Sequence, residues 1–277
     1  MFDVDYELKS AINEVKKVKN YHVKTICDPT VLGLGRDVNF IKQISEATGV
    51  NILVATGIYT YNDIPIHFRN QSVDYMKKQF IRDIETGIQN TDIKAAFIKC
   101  SSDKQGITSD IEKVIRAAAR ANLETGKPIM THSYAANEGG LEQVSMLLEE
   151  GVKPSHILIG HTGDSDNLSY VKKLLDKGVY IGMDRYGLDK FLPTDKRNTI
   201  LIKLLKEGYE NQIFLSQDYC CNTDWYSEEH KKKESPNWSM SHIFEAVIPK
   251  LLENDISEEK IRQVMEINTK NWLRGVI

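Results

Sequence analysis

Two histidines each end a short apolar run, and a segment of helical length separates the two runs. The stretch PIMTH ends at His132, and the stretch HILIGH ends at His161. This order of strand, helix and strand predicts a βαβ unit, in which the two strands run parallel. Because parallel strands end at the same edge of a sheet, we expect the two imidazoles to lie side by side. The pair predicts a position where a metal ion binds.

Other predicted strands also end on side chains that can do chemistry. They end at or beside Asp28, Tyr59, Lys99, Asp184 with Arg185, and Asp218. Two imidazoles, a carboxylate and a lysine at one edge of a sheet indicate a site with nitrogen and oxygen ligands. Such a site suits Zn²⁺, Fe, Co²⁺ or Mn²⁺.

Lys99 requires a separate explanation, because a charged ammonium has no lone pair to offer a metal. At the end of an apolar strand and beside cations, the pKa of a lysine falls. The neutral amine can then react with CO₂ to give a carbamate, which acts as a bridging carboxylate and can hold two metal ions. A neutral Lys99 could instead form a Schiff base, so an aldolase is an alternative reading.

The strands alternate with helices of similar length. Helical periodicity covers residues 6–21, 37–48, 72–89, 108–125, 196–207, 239–253 and 257–273. Strands without strict apolar alternation, separated by helices, are typical of a parallel sheet buried on both faces. Repeated this many times, the pattern predicts a TIM (β/α)₈ barrel. The helix at 108–125 is expected to begin at Thr108, a capping residue.

The count of strands and the composition set the limits of this interpretation. About seven strands are predicted, and the chain opens on a helix, so we expect the first barrel strand to be absent. No linker divides residues 1–277, which predicts one domain. The net charge of −3 gives no electrostatic reason to bind nucleic acid or an anionic membrane. Four cysteines without metal-finger spacing, and no leader or membrane span, predict a cytoplasmic protein.

Several segments together resemble the phosphotriesterase family of the amidohydrolase superfamily, and most closely its lactonase branch. The resemblance lies in VKTICDPTVLGLGRD, ATGIYTY, FIKCSSDKQGIT, PIMTHSYAANEGGLEQ, ILIGHTGDSDNLSYVKKLLDKGVYIGMDRYGLDKFLP and SQDYCCNTDW. It covers almost the whole chain. It implies a metal-dependent hydrolase of lactones with promiscuous activity on organophosphate triesters, acting through a hydroxide that bridges two divalent metal ions, and it implies a homodimer.

The resemblance also implies roles for individual residues. Lys99 would be the carboxylated bridge, His132 and His161 would bind the second metal, and Asp218 would bind the first metal and accept the proton of the bridging hydroxide. Tyr59 would face the metals and the substrate, Arg185 would shape the pocket, and Trp225 would line an acyl channel.

One departure from the family pattern affects the first metal. The family's first strand ends in a His-X-His motif, and no such motif occurs here. Either the natural protein is longer by roughly 35–45 residues, about one βα unit, or the chain is a truncated product. In the second case the strands at the two ends of the sheet would be exposed. A further alternative is that the protein is a barrel without catalytic activity that serves as a binding protein.

Overall fold

Seven parallel β-strands form the centre of the molecule. A computed structural model describes residues 3–223, 225 and 227–276 of the chain. The strands are β1 (Thr25–Asp28), β2 (Asn51–Gly57), β3 (Phe97–Ser101), β4 (Ile129–His132), β5 (Ile157–Gly160), β6 (Tyr180–Met183) and β7 (Ile213–Leu215). They pair in chain order from β1 to β7. The prediction of a parallel sheet of about seven strands is confirmed.

Helices connect the strands and cover the sheet. They are α1 (Val4–Lys19), α2 (Val38–Thr48), α3 (Ile66–Arg69), α4 (Val73–Glu85), α5 (Ser109–Thr125), α6 (Gly140–Glu149), α7 (Leu168–Leu175), α8 (Thr194–Lys206), α9 (Glu228–Glu234), α10 (Ile248–Leu252), α11 (Glu258–Arg262) and α12 (Asn268–Arg274). None of these helices, within the described part of the chain, is long and apolar enough to cross a bilayer.

The burial of the strands explains why their sequences lack alternation. Every residue of β3, β5, β6 and β7 is buried. A strand covered on both faces must be apolar at successive positions, since neither face meets water. In β1, by contrast, no residue is fully buried. This strand lies at one end of the hydrogen-bonded order and β7 lies at the other, within the residues described.

The register between neighbouring strands sets their carboxyl ends at one edge. Lys99 of β3 lies opposite Gly57 of β2, and His132 of β4 lies opposite Ser101 of β3. Next along the sheet, His132 lies opposite Gly160, the residue before His161. The polar residues that follow or end these strands therefore share one side of the molecule.

Caps set the ends of the helices. The hydroxyl of Thr108 accepts a hydrogen bond from the N–H of Ile111 at 3.3 Å, which confirms the predicted start of α5. The helices α2 and α5 end at Gly49 and Gly126, with φ of 69° and 71°. Glycine adopts this left-handed conformation at no steric cost, which is why helices often end on it.

Some predicted helix boundaries are wrong. The helix predicted over 72–89 ends at Glu85, because Gln89 and Asn90 turn the chain with positive φ values. The two C-terminal helices each contain one wider π turn, at Ile243–Val247 and Gln263–Ile267. Such turns arise where the backbone hydrogen bonds shift from i−4 to i−5, which apolar periodicity alone does not reveal.

Part of the polar segment after β7 is helical. It contains α9, and Lys231 of that helix is 5 % exposed. The Lys231 ammonium donates to the carbonyl of Cys220 at 2.7 Å and lies 4.1 Å from the ring centroid of Tyr219. A cation over an aromatic face is electrostatically favourable when it is shielded from water. Through this hydrogen bond and this ring contact, Lys231 holds α9 against the segment that follows Asp218.

The opposite edge of the sheet is closed by an aromatic cluster. Trp272 of α12 is fully buried, and its ring lies 5.4 Å from Phe97 and 5.7 Å from Phe214 between centroids. The hydroxyl of Tyr180 donates to the carbonyl of Val276 at 2.8 Å. The C-terminal helix is therefore anchored beneath the amino ends of β3, β6 and β7.

We expect Trp272→Ala to lower the free energy of unfolding by about 3–5 kcal/mol, because the substitution leaves a cavity among aromatic rings. Urea titration followed by far-UV circular dichroism measures this change. Trp225→Ala is the matched control, since Trp225 is 60 % exposed and its loss should cost under about 0.5 kcal/mol. Equal losses in the two variants would contradict the packing role of Trp272.

Candidate metal centre

The two predicted histidines lie next to each other at the carboxyl edge of the sheet. The ring centroids of His132 and His161 are 4.6 Å apart, and the rings meet edge to face. Both side chains are almost completely buried. Burial is the largest cause that lowers the pKa of each imidazole. Both are therefore neutral near pH 7, the form that offers a lone pair to a metal ion.

One ring nitrogen of each imidazole lies within hydrogen-bond distance of a carboxylate oxygen. His132 Nε2 lies 2.8 Å from Asp103 Oδ2, and His161 Nδ1 lies 3.0 Å from Asp184 Oδ1. A histidine that binds a metal commonly donates its second ring N–H to such a carboxylate, which orients the ring. The arrangement leaves Nδ1 of His132, which faces the Tyr59 hydroxyl at 3.1 Å, and Nε2 of His161 as the two nitrogens whose lone pairs could bind a cation.

Lys99 is buried beside this pair. Its Nζ donates to the carbonyl of Thr131 at 3.1 Å, and only 4 % of the residue is exposed. Burial is the main cause that lowers the pKa of Lys99, against the opposing effect of Asp218 and Asp184. A neutral, weakly hydrogen-bonded amine is the form that can react with CO₂. The position therefore fits the carbamate that the sequence suggested.

Asp218 and Arg185 belong to a chain of alternating charges. Arg185 Nε donates to Asp218 Oδ2 at 3.1 Å, and its Nη1 donates to Asp164 Oδ2 at 2.9 Å. Asp164 in turn accepts from Nη2 of Arg197 at 2.8 Å. Arg197 is fully buried and also donates to the carbonyls of Gly163 and Arg185. The network holds Arg185 in place and sets a positive charge beside Asp218.

Unusual backbone conformations support these residues. His161 and Asp218 both adopt positive φ, 63° and 51°, a region that few non-glycine residues occupy, although aspartate, asparagine and histidine do so more often than the rest. Such strain persists where the surrounding structure enforces it, and it is frequent at functional sites. Gly57 has φ of 127°, and a Cβ there would lie 1.9 Å from the carbonyl oxygen of Lys99. Only glycine fits beside the strand that carries the lysine.

The three predicted substrate-binding residues lie in different surroundings from one another. The Tyr59 hydroxyl lies 3.1 Å from His132 Nδ1 and 2.9 Å from the hydroxyl of Tyr61. Burial raises the pKa of Tyr59, so its hydroxyl keeps its proton. Arg185 lies next to Asp218, as described above. Trp225 is exposed in the segment after β7, where its N–H donates to the hydroxyl of Thr223 at 3.2 Å.

Whether a metal ion fits this site depends on the donor atoms that the side chains offer. Among the described residues, no three His, Cys, Asp or Glu side chains gather closely enough to hold an ion by themselves. The two neutral imidazoles supply two ligands, and the buried amine of Lys99 can supply a third only after it becomes an oxygen ligand. The chemistry of the donors fits a cation that prefers nitrogen and oxygen, provided that the carbamate forms.

Reasoning from strand ends missed three residues of the site. Asp103 lies four residues after Lys99, Asp164 lies three residues after His161, and Arg197 comes from α8. The short spacings of the two aspartates from strand-end residues were a usable signal. Arg197 offered none, because its burial depends on how α8 packs against the loops after β5 and β6.

A parallel α/β sheet with histidine, lysine and carboxylate side chains at its carboxyl edge is the arrangement of barrel-type enzymes, whose active sites lie at that edge. The comparison with known proteins agrees. The model of the phosphotriesterase family matches residues 1–273. The chain therefore belongs to the phosphotriesterase family, a family of hydrolases, and the resemblance seen in the sequence is confirmed.

Individual relatives match over nearly the full chain. An aryldialkylphosphatase from Saccharolobus solfataricus is 52 % identical over 274 residues, which cover 98 % of this chain and 87 % of the relative. The solved structure of the phosphotriesterase from Mycobacterium tuberculosis is 39 % identical, with a TM-score of 0.95 over 98 % of this chain and 86 % of the other. An N-acetyltaurine hydrolase from Xenopus tropicalis is 25 % identical over 281 residues, or 96 % of this chain and 78 % of the relative.

We expect Arg197→Ala to lower the free energy of unfolding by about 3–5 kcal/mol, because it leaves Asp164 and two buried carbonyls with fewer donors. Urea titration measures the change. Lys196→Ala is the matched control, since this neighbouring cation on α8 has an exposed side chain. A loss in Arg197→Ala no larger than that in the control would show that the buried network contributes little to stability.

Proposed function

We propose that this protein is a metal-dependent hydrolase of lactones with a secondary activity on phosphotriesters. The observation that carries the proposal is the meeting of His132, His161 and the buried Lys99 at the carboxyl edge of a parallel sheet. Membership of a hydrolase family and the name of the 52 % identical aryldialkylphosphatase support the same reaction type.

The proposed ligand set follows from the geometry and from the family resemblance. Lys99, as a carbamate, would bridge two cations, His132 and His161 would hold one of them, and Asp218 would contribute to the other. When bound, two divalent cations supply an acidified water and an electrophile for a carbonyl or phosphoryl oxygen. Zn²⁺, Fe, Co²⁺ and Mn²⁺ all accept such nitrogen and oxygen ligands.

The residues of the chain have distinct tasks in this proposal. Asp218 receives the proton released during attack, and the guanidinium of Arg185 at 3.1 Å stabilises its carboxylate. Tyr59 keeps a protonated hydroxyl, which lies 3.1 Å from His132 Nδ1, and once a cation takes the lone pair of that nitrogen the hydroxyl could donate to a substrate oxygen instead. The low exposure of the two histidines keeps water away from the reacting groups, which strengthens electrostatic interactions there.

Apolar side chains near Arg185 and in the segment after β7 suggest an apolar substrate. The ring of Phe191 covers the Arg185 guanidinium at 4.4 Å, and Phe191 is 44 % exposed. Trp225 is more exposed still. Two large exposed aromatic rings on the segments that follow β6 and β7 could contact an acyl chain or an aryl ester. We therefore propose a lactone with an acyl substituent.

The principal alternative is a Schiff-base aldolase that uses Lys99 as its nucleophile. A buried amine with a lowered pKa suits that reaction as well. In such a reaction the adjacent imidazoles would act as general acid or base, whereas in the proposed hydrolase they would be metal ligands. A barrel without activity that acts as a binding protein is the other alternative. The homodimer implied by the family resemblance stays a prediction.

We expect the purified protein to bind about two divalent ions and to lose lactone turnover when a chelator removes them. Lys99→Met should bring the metal content below one ion per chain and reduce turnover more than about 100-fold, because the bridge is lost. Metal analysis and a lactone assay measure both effects. Lys104→Met, which alters an exposed lysine in the next turn, is the matched control.

Two outcomes would contradict this proposal. A wild-type chain with less than one ion and no turnover would favour the binding protein. Borohydride treatment with a carbonyl substrate gives a second test. A free amine condenses with the carbonyl, with loss of water, to an imine that borohydride reduces to a stable secondary amine, whereas a carbamate forms no imine. An adduct at Lys99 would favour the aldolase.

We expect Trp225→Ala to raise the KM for long-chain lactones about tenfold, equivalent to 1.4 kcal/mol, because an apolar contact with the acyl chain is lost. The KM for short-chain lactones should change little. Steady-state assays with a series of acyl lengths measure the difference. Tyr6→Ala removes another exposed aromatic ring, on α1, and should alter neither value. An equal change for all lengths would exclude Trp225 from the acyl site.

A further inference from the structure

The carboxylate of Asp103 contacts the ring nitrogen of His132 that points away from Tyr59. His132 Nε2 lies 2.8 Å from Asp103 Oδ2, while Nδ1 on the other side of the ring lies 3.1 Å from the Tyr59 hydroxyl. A carboxylate can only accept a hydrogen bond. The ring nitrogen that faces it must therefore carry the proton.

We propose that Asp103 is a positioning residue that holds His132 in the Nε2–H tautomer, so that the lone pair of Nδ1 faces the site and can bind a cation. This inference rests on the proposed function, because it concerns a ligand of the proposed metal centre. Neither the family model nor the names of the relatives assign a role to this residue.

The turn after β3 is built to hold the Asp103 carboxylate. One oxygen, Oδ1, accepts from the N–H of Lys104 at 2.7 Å, which leaves Oδ2 for His132. The carbonyl of Asp103 accepts from the N–H of Gly106 at 2.8 Å, and Gly106 closes the turn with φ of 73°. Both oxygens are thus used, and the carboxylate has a single orientation toward the ring.

The backbone of His132 is fixed from the same direction. Its carbonyl accepts from the N–H of Ser102 at 3.0 Å and from Nε2 of Gln143 at 2.7 Å. Gln143 is fully buried and also donates to the Ser102 hydroxyl at 2.7 Å. Because the backbone is held independently, the protonation and orientation of the ring depend on its two hydrogen-bond contacts, Asp103 at Nε2 and the Tyr59 hydroxyl at Nδ1. Of the two, only the Asp103 carboxylate is restricted to accepting, so it decides which nitrogen carries the proton.

Asp184, the carboxylate that contacts His161, holds the backbone and the ring of that histidine at the same time. Asp184 accepts from the backbone N–H of His161 at 2.9 and 3.1 Å as well as from its ring. Replacement of Asp184 would disturb the left-handed backbone of His161 together with its imidazole. Asp103 touches His132 through the ring nitrogen alone among the described contacts, so its replacement is the more direct test of ring positioning.

Ring NMR of the metal-free protein tests the tautomer without any metal. Long-range ¹H–¹⁵N correlation spectra at neutral pH should show His132 of the wild type as the Nε2–H tautomer and a mixture of tautomers in Asp103→Ala. Asp103→Leu, which has a side chain of similar shape and no acceptor, serves if the alanine variant does not fold. A wild-type ring protonated at Nδ1 would overturn the inference.

Metal affinity gives the second readout. With Co²⁺ and Zn²⁺ as probes, competition titration should show a loss of about 10- to 100-fold in Asp103→Ala, as for other carboxylates that support a ligand histidine, and partial recovery in Asp103→Glu. The visible Co²⁺ spectrum should change as well. Asp92→Ala, an exposed aspartate in the segment before β3, should match the wild type.

The two readouts separate this inference from the proposed function. A wild type that binds neither probe overturns the proposed function, and the ring spectra still decide whether Asp103 sets the tautomer. A wild type that binds metal while Asp103→Ala binds it within twofold overturns the inference alone. A purely structural Asp103 would lower the unfolding temperature of the metal-free protein without changing the tautomer, and that outcome also overturns it.

Discussion

Parallel pairing between β4 and β5 is the constraint on which the site depends. The register sets His132 opposite Gly160, so His161 follows one residue beyond it and the two ring centroids lie 4.6 Å apart. A shift of one residue would turn each side chain to the opposite face of the sheet. Such a shift would move the apolar side chains of β4 and β5 into packing sites shaped for other side chains, which a close-packed core resists. The register that packs the core between β4 and β5 is therefore also the register that brings the two histidines together.

Burial at the carboxyl edge lowers the pKa of every cationic group there, but neighbouring carboxylates outweigh this effect at Arg185. It lowers the pKa of Lys99 and of both histidines, which makes them neutral donors. The neighbouring arginines remain charged, since Asp164 and Asp218 accept their hydrogen bonds. Neutral amine and imidazole groups on one side and compensated ion pairs on the other give a site that is buried yet leaves few uncompensated charges.

Much of this arrangement could be predicted from the sequence, for a definite reason. An apolar run that stops on a polar residue locates both a strand and its end, which is enough to find Lys99, His132 and His161. The same method fails where position depends on tertiary packing. Arg197 lies within a helix, and Lys231 lies in a run of lysines that reads as exposed, yet both are buried by elements distant in the chain. Helix ends were missed where a π turn or a positive φ changes the path without any change in polarity.

The close approach at Gly57 also limits how the protein can vary. A methyl group there would overlap the carbonyl oxygen of Lys99, and φ of 127° is poorly accessible to any L-residue with a side chain. A library of variants intended to reshape the pocket would therefore lose every member altered at this position, whatever the new side chain. Diversity is better introduced in the segments around Phe191 and Trp225, where exposed side chains can change without moving the strand that carries the lysine.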